Sequence, residues 1–355
     1  MKGCYINGMG IVSVQKTFDS EFLSEMTINE TENVLYAQQP SYKEMIPPAM
    51  IRRMAKGVKM GIYASTKALE EAEIKNPDAI ITGTGMGCVE DSEKFLKAIL
   101  DNDEQFLTPT SFIQSTHNTV GAQIALGLQC KNYNFTYVNG AVSMETALID
   151  AKMQLDNNEV TNVLVGGIDE TSQHTLDLFK LVQVIKSEED KPYSVLNSNS
   201  KGVVFGEGAN FFALANTSTD TTYAKIEDVS IYSALQPEKV ANFVTEFLKA
   251  NGLSVSDIDA VVFGNNGDAS YDDYYKISST LFNETPQAFY KHLSGEYNTA
   301  SGFGLWIAAN IMKQQQIPAI VQMNGLEKES YKTILLYNQY LGKDHSLILL
   351  KNVKA

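Results

Sequence analysis

The segment from residue 134 to 155 most constrains what this chain can fold into. A β-favouring run, Phe135–Val138, turns sharply at Asn139-Gly140 and enters a pattern with apolar residues at helical spacing. This order predicts a strand, a tight turn and a buried helix. In α/β enzymes, such an elbow can hold a nucleophile where free backbone N–H groups stabilise an anion. Here the tip is Ala141, so the elbow has the shape of a nucleophile turn without the nucleophile.

The outline of the chain is repeated. Asp78–Gly87 and Asp259–Asp268 each read as a buried strand that runs into a glycine-containing loop, and helices are predicted before them at 51–74 and 237–250. The elbow also has a counterpart at Leu293–Trp306. Strands that alternate with helices predict an α/β fold of parallel βαβ units. The repeat predicts two halves related by internal duplication.

A polar stretch, Asn216–Thr222, separates the two halves. We therefore expect an N-terminal half over residues 1–216 and a C-terminal half over residues 223–355. The last strands are predicted at Ala319–Met323 and Ser346–Leu350, where β-favouring residues recur.

Composition excludes several classes of protein. The net charge of −14, without a long basic run, argues against a nucleic-acid partner. Cys4, Cys88 and Cys130 are an odd and widely spaced set. This predicts a protein of the reducing cytoplasm, with neither a disulfide framework nor a zinc site. No apolar run approaches the ~20 residues of a membrane span, and the glycine-broken N-terminus is unlike a signal peptide. We expect no metal and no cofactor.

Three short motifs carry a family resemblance. Thr146-Ala147-Leu148, then Val163–Glu170, then Gly206–Ala209 resemble, in this order, successive motifs of β-ketoacyl synthases. The resemblance covers nearly the whole chain. It implies a thiolase-like five-layered α-β-α-β-α sandwich, and a condensing enzyme of fatty-acid or polyketide synthesis that works with acyl carrier protein. The catalytic set implied by the family is one cysteine and two histidines.

The resemblance places this catalytic set at three changed positions. The cysteine falls at Ala141, the first histidine at Asn265 and the second at Glu296, while Lys291 of the family's Lys-Ser-x-x-Gly-His motif is kept. A methyl group cannot form a thioester. Asn265 could donate one hydrogen bond to an enolate, whereas an ionised Glu296 would repel it. Condensing activity is therefore predicted to be absent or low.

Two replacements for the missing nucleophile stay open. Ser143 lies two residues beyond the tip, although a serine at a helix start is more often an N-cap. Cys88 or Cys130 would serve only if the fold brought one of them to the elbow, and a buried inert thiol is the usual state.

Two further segments are assigned by the resemblance. Gln339–Asp344 resembles the family's Gly-Phe-Gly-Gly-Thr-Asn gate, so Tyr340 and Gly342 are expected to contact substrate with Ser143. The loss of two glycines predicts a stiffer gate. Four cations near the start of the helix predicted from residue 51 form either a solvated face or a docking patch for acyl carrier protein: Arg52, Arg53, Lys56 and Lys59.

The sequence favours a non-catalytic subunit, comparable to a chain length factor, that pairs as a heterodimer with an active ketosynthase. The first alternative is an active 3-oxoacyl synthase or acyltransferase with a rearranged set, such as Ser143 as nucleophile and Glu296 as base. The second is an acyl-binding protein that forms a homodimer.

Overall fold

The computed structural model describes residues 3–18 and 25–353, whose strands form one ten-stranded sheet. The strands are β1 (Cys4–Val12), β2 (Ala79–Gly83), β3 (Tyr133–Tyr137), β4 (Asn162–Asp169), β5 (Gly208–Ala215), β6 (Ala224–Ser233), β7 (Ala260–Phe263), β8 (Gln287–Phe289), β9 (Thr333–Tyr340) and β10 (Asp344–Lys351). The helices are α1 (Pro48–Ile51), α2 (Lys56–Glu71), α3 (Val89–Asp101), α4 (Pro109–Ser115), α5 (Thr119–Leu128), α6 (Ser143–Asp156), α7 (Gln173–Leu181), α8 (Val240–Ala250), α9 (Asp272–Leu281), α10 (Lys291–Ser294) and α11 (Ser301–Gln314).

The strand order confirms the predicted duplication. The first half runs β3-β2-β4-β5-β1 and the second runs β8-β7-β9-β10-β6, so the same order occurs twice and β1 pairs with β6 at the join. The prediction of parallel units holds only in part. β2 is parallel to β3 and β4, but β5 is antiparallel to both of its neighbours, and the second half repeats this pattern.

The helices divide the molecule into layers. α6 and α11 lie between the two halves, because each contacts strands of both and their apolar side chains belong to one shared core. α2 and α5 pack on the outer face of the first half, and α8 and α9 on that of the second. The result is the α-β-α-β-α arrangement expected for this fold, with the elbow helix α6 at its centre.

Gly8 and Gly10 serve a different purpose from the turn that glycines usually indicate. β1 runs straight through both, and a Cβ at Gly10 would lie 1.9 Å from the carbonyl oxygen of Ala64, while one at Gly8 would lie 2.2 Å from that of Ala68. The absent side chains therefore let α2 approach the strand closely.

Two local predictions were wrong, and one strand was missed. The helix predicted from residue 51 is interrupted, because α1 ends at Ile51 and α2 begins at Lys56. Residues 319–323 do not form a strand: Pro318 precedes a turn of 3-10 helix, Ala319–Val321. The penultimate strand is instead β9, which the sequence reading missed.

Candidate functional site

The predicted elbow is present. β3 is followed by Asn139, a turn of 3-10 helix at Gly140–Val142, and then α6. Gly140 has φ +53°, a conformation that glycine adopts without strain. The end of β2 lies against this turn, since a Cβ at Gly83 would be 2.4 Å from the carbonyl oxygen of Ser143. The backbone shape that can support a nucleophile is therefore present.

The hydroxyl of Ser143 is not placed as a replacement nucleophile, because it is engaged within the elbow turn. Its side chain is fully buried, and its Oγ accepts the N–H of Asn139 at 2.8 Å. The carbonyl oxygens of Gly140 and Thr84 lie 2.8 and 2.9 Å away as acceptors for its single proton. The hydroxyl fastens the elbow turn to the loop after β2, and it does not cap α6. A substrate-binding role for Ser143 is equally unsupported by this burial.

No cysteine takes the place of the missing thiol either. Ala141, at the tip, is only 3% exposed. Cys4, Cys88 and Cys130 are all buried free thiols. Burial raises the pKa of Cys4 to about 12, and burial with the nearby Glu170 carboxyl raises that of Cys88 further, so both remain unreactive thiols.

Glu296, predicted to stand at the position of the second family histidine, belongs to a buried ion pair. The Nζ of Lys291 lies 2.7 Å from Oε2 of Glu296 and donates to Oδ1 of Asn338 at 2.7 Å. Asn266 donates to the same Glu296 oxygen at 2.8 Å. Burial raises the pKa of the Glu296 carboxyl, and the Lys291 ammonium opposes that shift. Each group is thus engaged with a neighbour, and Glu296 offers no free donor to an enolate.

Asn265, predicted to stand at the position of the first histidine, is not the asparagine that contacts Glu296. Asn265 is buried and its Oδ1 has no partner among the described residues, whereas it is Asn266 that contacts Glu296. Asn338 was missed as well. The adjacent amides at 265 and 266 were the only sequence signal, and they do not reveal which one faces the ion pair.

The predicted gate is the hairpin turn between β9 and β10. The N–H of Gly342 donates to the side chain of Gln339 at 2.8 Å, and that of Lys343 to the carbonyl of Tyr340 at 3.0 Å. Burial, and then the carboxyl groups of Glu296 and Asp169, raise the pKa of Tyr340. Tyr340 therefore lies near acidic groups from both halves.

The same turn lies close to the elbow. A Cβ at Gly140 would be 3.6 Å from Oδ2 of Asp344, the first residue of β10. The hairpin thus brings Tyr340 and Asp344 to the end of the molecule where Ala141 lies.

Buried carboxylates that the sequence reading did not single out hold this region together. Asp169, at the end of β4, accepts the N–H groups of Gly85 and Met86 on one oxygen and the N–H of Thr299 on the other, at 2.8 to 3.2 Å. It therefore joins the loop after β2 to the second half. Glu170 similarly accepts the N–H of Gly57.

Comparison with known proteins decides the family. The model of the β-ketoacyl synthase N-terminal domain matches residues 26–220, more than half of the chain. The chain belongs to the β-ketoacyl synthase family. No curated protein sequence matches it.

Solved structures show the same fold at low sequence identity. A β-ketoacyl synthase from Burkholderia phymatum STM815 has a TM-score of 0.79 at 17% identity, over 99% of this chain and 100% of that one. The ishigamide ketosynthase/chain length factor has 0.77 at 15%, over 99% of each chain. A ketosynthase in complex with its chain length factor from Xenorhabdus doucetiae has 0.73 at 14%, over 99% and 98%. The thiolase-like ketosynthase fold is thereby confirmed.

The predicted docking patch of this ketosynthase homologue is smaller than expected. Lys56 is partly exposed, but its ammonium forms an ion pair of 2.5 Å with the buried Glu207 and donates to Thr171, so its charge is already engaged. Arg52 and Arg53 are exposed in the break between α1 and α2, and they are the only arginines of the chain. Lys59 is partly exposed. Of the four cations, the two arginines are the ones best placed to meet a partner.

Across residues 3–18 and 25–353, no helix combines the length and apolar character needed to cross a membrane. The same residues contain no cluster of metal-ligating side chains.

Proposed function

We propose that this chain is a non-catalytic subunit, comparable to a chain length factor, that pairs with an active ketosynthase in fatty-acid, polyketide or polyene synthesis. The observation that carries the proposal is Ala141 at the tip of an intact elbow. The turn, the buried helix and the fold around them persist, while the thiol needed to form a thioester is absent.

The second support is the ion pair between Lys291 and Glu296. In a decarboxylating condensation, hydrogen-bond donors stabilise the enolate, and removing one such donor typically costs ~10²–10³ in rate. Glu296 occupies a donor position with a carboxylate that itself accepts bonds from Lys291 and Asn266. A malonyl group would find no donor there.

A subunit role also requires a surface for association. β3 is an edge strand of the sheet; its residues Tyr133 and Phe135, and Val138 just after it, are each about half exposed. The neighbouring helices α3 to α5 expose further large apolar side chains: Leu96, Leu100, Phe112, Ile113 and Leu126. Large contiguous apolar patches on a protein surface mark interaction sites, and these side chains are the candidates for such a patch here. Two of the similar structures are, by name, a ketosynthase/chain length factor and a ketosynthase with its chain length factor.

Acyl carrier protein is the proposed second partner. Arg52 and Arg53 are adjacent, exposed and unpaired among the described residues, and guanidinium groups suit bidentate contacts with phosphate or carboxylate. The chain has a net charge of −14, so any contact with an acidic partner must be concentrated on such a local patch.

The alternative of an active acyltransferase has lost its candidate residues. Ser143 is buried within the elbow turn, and Glu296 is held by Lys291. Nothing in the described part of the chain favours a different nucleophile.

The experiment that tests the proposal is co-expression with an intact ketosynthase, followed by loading from acyl carrier protein and intact mass analysis. We expect a one-to-one complex in which only the partner gains acyl mass. The matched control is Ala141→Cys, which restores a thiol at the elbow and reports whether an acyl chain can reach it. If the unaltered chain purifies as a homodimer and carries the acyl mass itself, the proposal is wrong.

A further inference from the structure

An amine, a carboxyl group and a carboxamide lie together in the interior, between the start of α10 and β9. Lys291 is the first residue of α10, Glu296 lies just beyond the end of that helix, and Asn338 belongs to β9. Their exposed fractions are 1, 2 and 4%. These three groups can react with one another, and bulk water is excluded from them.

The distances place the amine beside both of the other groups. Nζ of Lys291 is 2.7 Å from Oε2 of Glu296 and 2.7 Å from Oδ1 of Asn338. Because a carbonyl bond is about 1.23 Å long, Nζ lies within about 4 Å of Cγ of Asn338. This is close to the ~3–3.5 Å at which two bound groups are poised to react.

The surroundings of Asn338 hold its carboxamide in this place. A Cβ at Gly264 would lie 2.3 Å from Oδ1 of Asn338, so a side chain there would displace the carboxamide. The hydroxyl of Tyr290 lies 3.5 Å from the same oxygen. Nζ and this hydroxyl are therefore two donors on the side where negative charge would develop if the carboxamide carbon were attacked.

Burial also favours the reactive form of the amine. It lowers the pKa of Lys291, and the carboxyl group of Glu296 opposes that shift. It raises the pKa of Glu296, and the Lys291 ammonium opposes that shift in turn. Both directions favour a neutral amine beside a carboxylic acid. A desolvated neutral amine is a nucleophile, whereas an ammonium has no lone pair to offer.

A second buried lysine shows that burial alone does not create this arrangement. Lys186 is also 1% exposed, and its ammonium donates to the hydroxyls of Ser198 and Ser200 and to the carbonyl of Gly267. None of these partners is a carboxyl group that can take its proton. Lys186 is therefore an internal control for Lys291.

We propose that Lys291 and Asn338 form an intramolecular isopeptide bond, with Glu296 as the acid–base catalyst. Lys291 gives one proton to Glu296, and its neutral amine attacks Cγ of Asn338 to form the new C–N bond. Glu296 then carries a second proton from the attacking nitrogen to Nδ2. The bond from Cγ to Nδ2 breaks and ammonia leaves.

The reaction needs no oxidant and no co-reactant. Glu296 ends as a neutral carboxylic acid, so a buried ion pair, which is costly to desolvate, is replaced by uncharged groups. A chain that has not reacted keeps the ion pair. Ala141 at the elbow is the same before and after the reaction, and the inference is therefore independent of the proposed subunit function.

The test is mass spectrometry of the full chain after incubation at neutral pH. We expect an intact mass that is lower than the sequence requires by one ammonia, and a tryptic digest with a branched peptide that joins Lys291 to Asn338. The branched peptide is needed because a succinimide at an Asn-Gly pair, such as Asn139-Gly140, loses the same mass. Trypsin should cleave after Lys186 as usual.

Two variants test the chemistry, with circular dichroism to check that each is folded. Glu296→Gln keeps both reacting groups without the proton acceptor and should slow bond formation by about 100-fold or more. Asn338→Asp should lose water instead of ammonia, so its cross-linked product has the same mass as that of the unaltered chain. The proposal is overturned if the unaltered chain keeps its full mass, if the branched peptide joins another pair, or if folded Glu296→Gln reacts equally fast.

Discussion

The two edge strands of the sheet occupy equivalent places in the duplicated halves, but one is exposed and the other is covered. β3 is five residues long, and its aromatic side chains are partly or half exposed. β8, its counterpart, is three residues long and fully buried. The difference comes from the segment 319–323, which covers β8: Ala288 bridges Gln322, and the N–H of Met323 donates to the carbonyl of Gln287 at 2.8 Å.

An uncovered edge strand is a template for pairing with another chain, and proteins usually protect such edges. Here one half has the protection and the other lacks it. The sheet therefore has one edge that is covered by its own chain and one edge that is available to a partner. The four predictions below test this contrast.

The largest effect is expected in the half with the covered edge, directly after β8. Lys291→Met leaves the buried Glu296 without its cation, and breaking a buried pair in this way typically costs about 3–5 kcal/mol. Urea unfolding measures the loss. The double variant Lys291→Met, Glu296→Gln should recover much of it, because no uncompensated charge remains.

The matched control is Lys276→Met, which removes an ion pair with Asp273 whose partners are 69% and 76% exposed. It should leave stability unchanged, because exposed pairs contribute little. An equal loss of stability in the two variants would show that the buried ion pair contributes no more to the free energy of unfolding than the exposed one.

Charge on the bare edge should weaken association without unfolding the chain. Phe135→Lys places an ammonium on β3, and we expect association with the partner to weaken by about 30-fold or more, as for a central interface residue. Sedimentation measures the affinity and thermal melting checks the fold. Tyr232→Lys, an equally exposed aromatic position on β6, should change neither. Unaltered association of the β3 variant would place the interface elsewhere.

Acid should act on the covered edge through His292, whose ring fastens the covering segment at Ile320. The pKa of His292 falls from 6.5 to about 4 on folding, so the unfolded chain takes up its proton first. The contribution of neutral His292 to the free energy of unfolding is complete above pH 6.5. It is lost as the pH falls toward about 4, by up to about 3 kcal/mol. In His292→Gln, the free energy of unfolding should no longer show this fall between pH 6.5 and about 4. His117→Gln, which changes an exposed histidine, should show the same fall as the unaltered chain.

The smallest effect concerns the covering segment itself. Asn324 accepts the N–H of Gln287 at 3.1 Å and donates to the carbonyl of Thr285 at 2.9 Å. Asn324→Ala leaves the Gln287 donor unsatisfied and should cost about 1–2 kcal/mol in chemical denaturation. Thr280→Ala, whose hydroxyl bonds only within its own helix, is the control. A loss no larger than that of the control would show that the cover is held by other contacts.

The sequence predicts the elbow well because its determinants are local. A β-favouring run, an Asn-Gly turn and a helical apolar pattern lie within about twenty neighbouring residues, and each specifies its own piece of backbone. The repeat of the outline likewise predicts the duplication, since strand order follows from connections along the chain.

What the sequence does not predict depends on distant partners. The apolar run at 319–323 favours a strand, yet it wraps over β8 instead of extending the sheet. The environment of Glu296 depends on Asn338, which is distant in sequence and lies on a strand that was missed. Whether Asn265 or Asn266 faces the ion pair is decided by the turn after β7, and no local pattern encodes that choice.

Arg52 and Arg53 are the only arginines in the sequence, so any reagent specific for arginine acts on this chain only at the break between α1 and α2. An arginine-specific protease can cleave this chain only after Arg52 or Arg53, and both are exposed. Cleavage would cut the chain into an N-terminal piece that carries β1 and a larger piece that carries the other strands, and a bound carrier protein would shield the bond. One gel band would then record whether the patch is occupied.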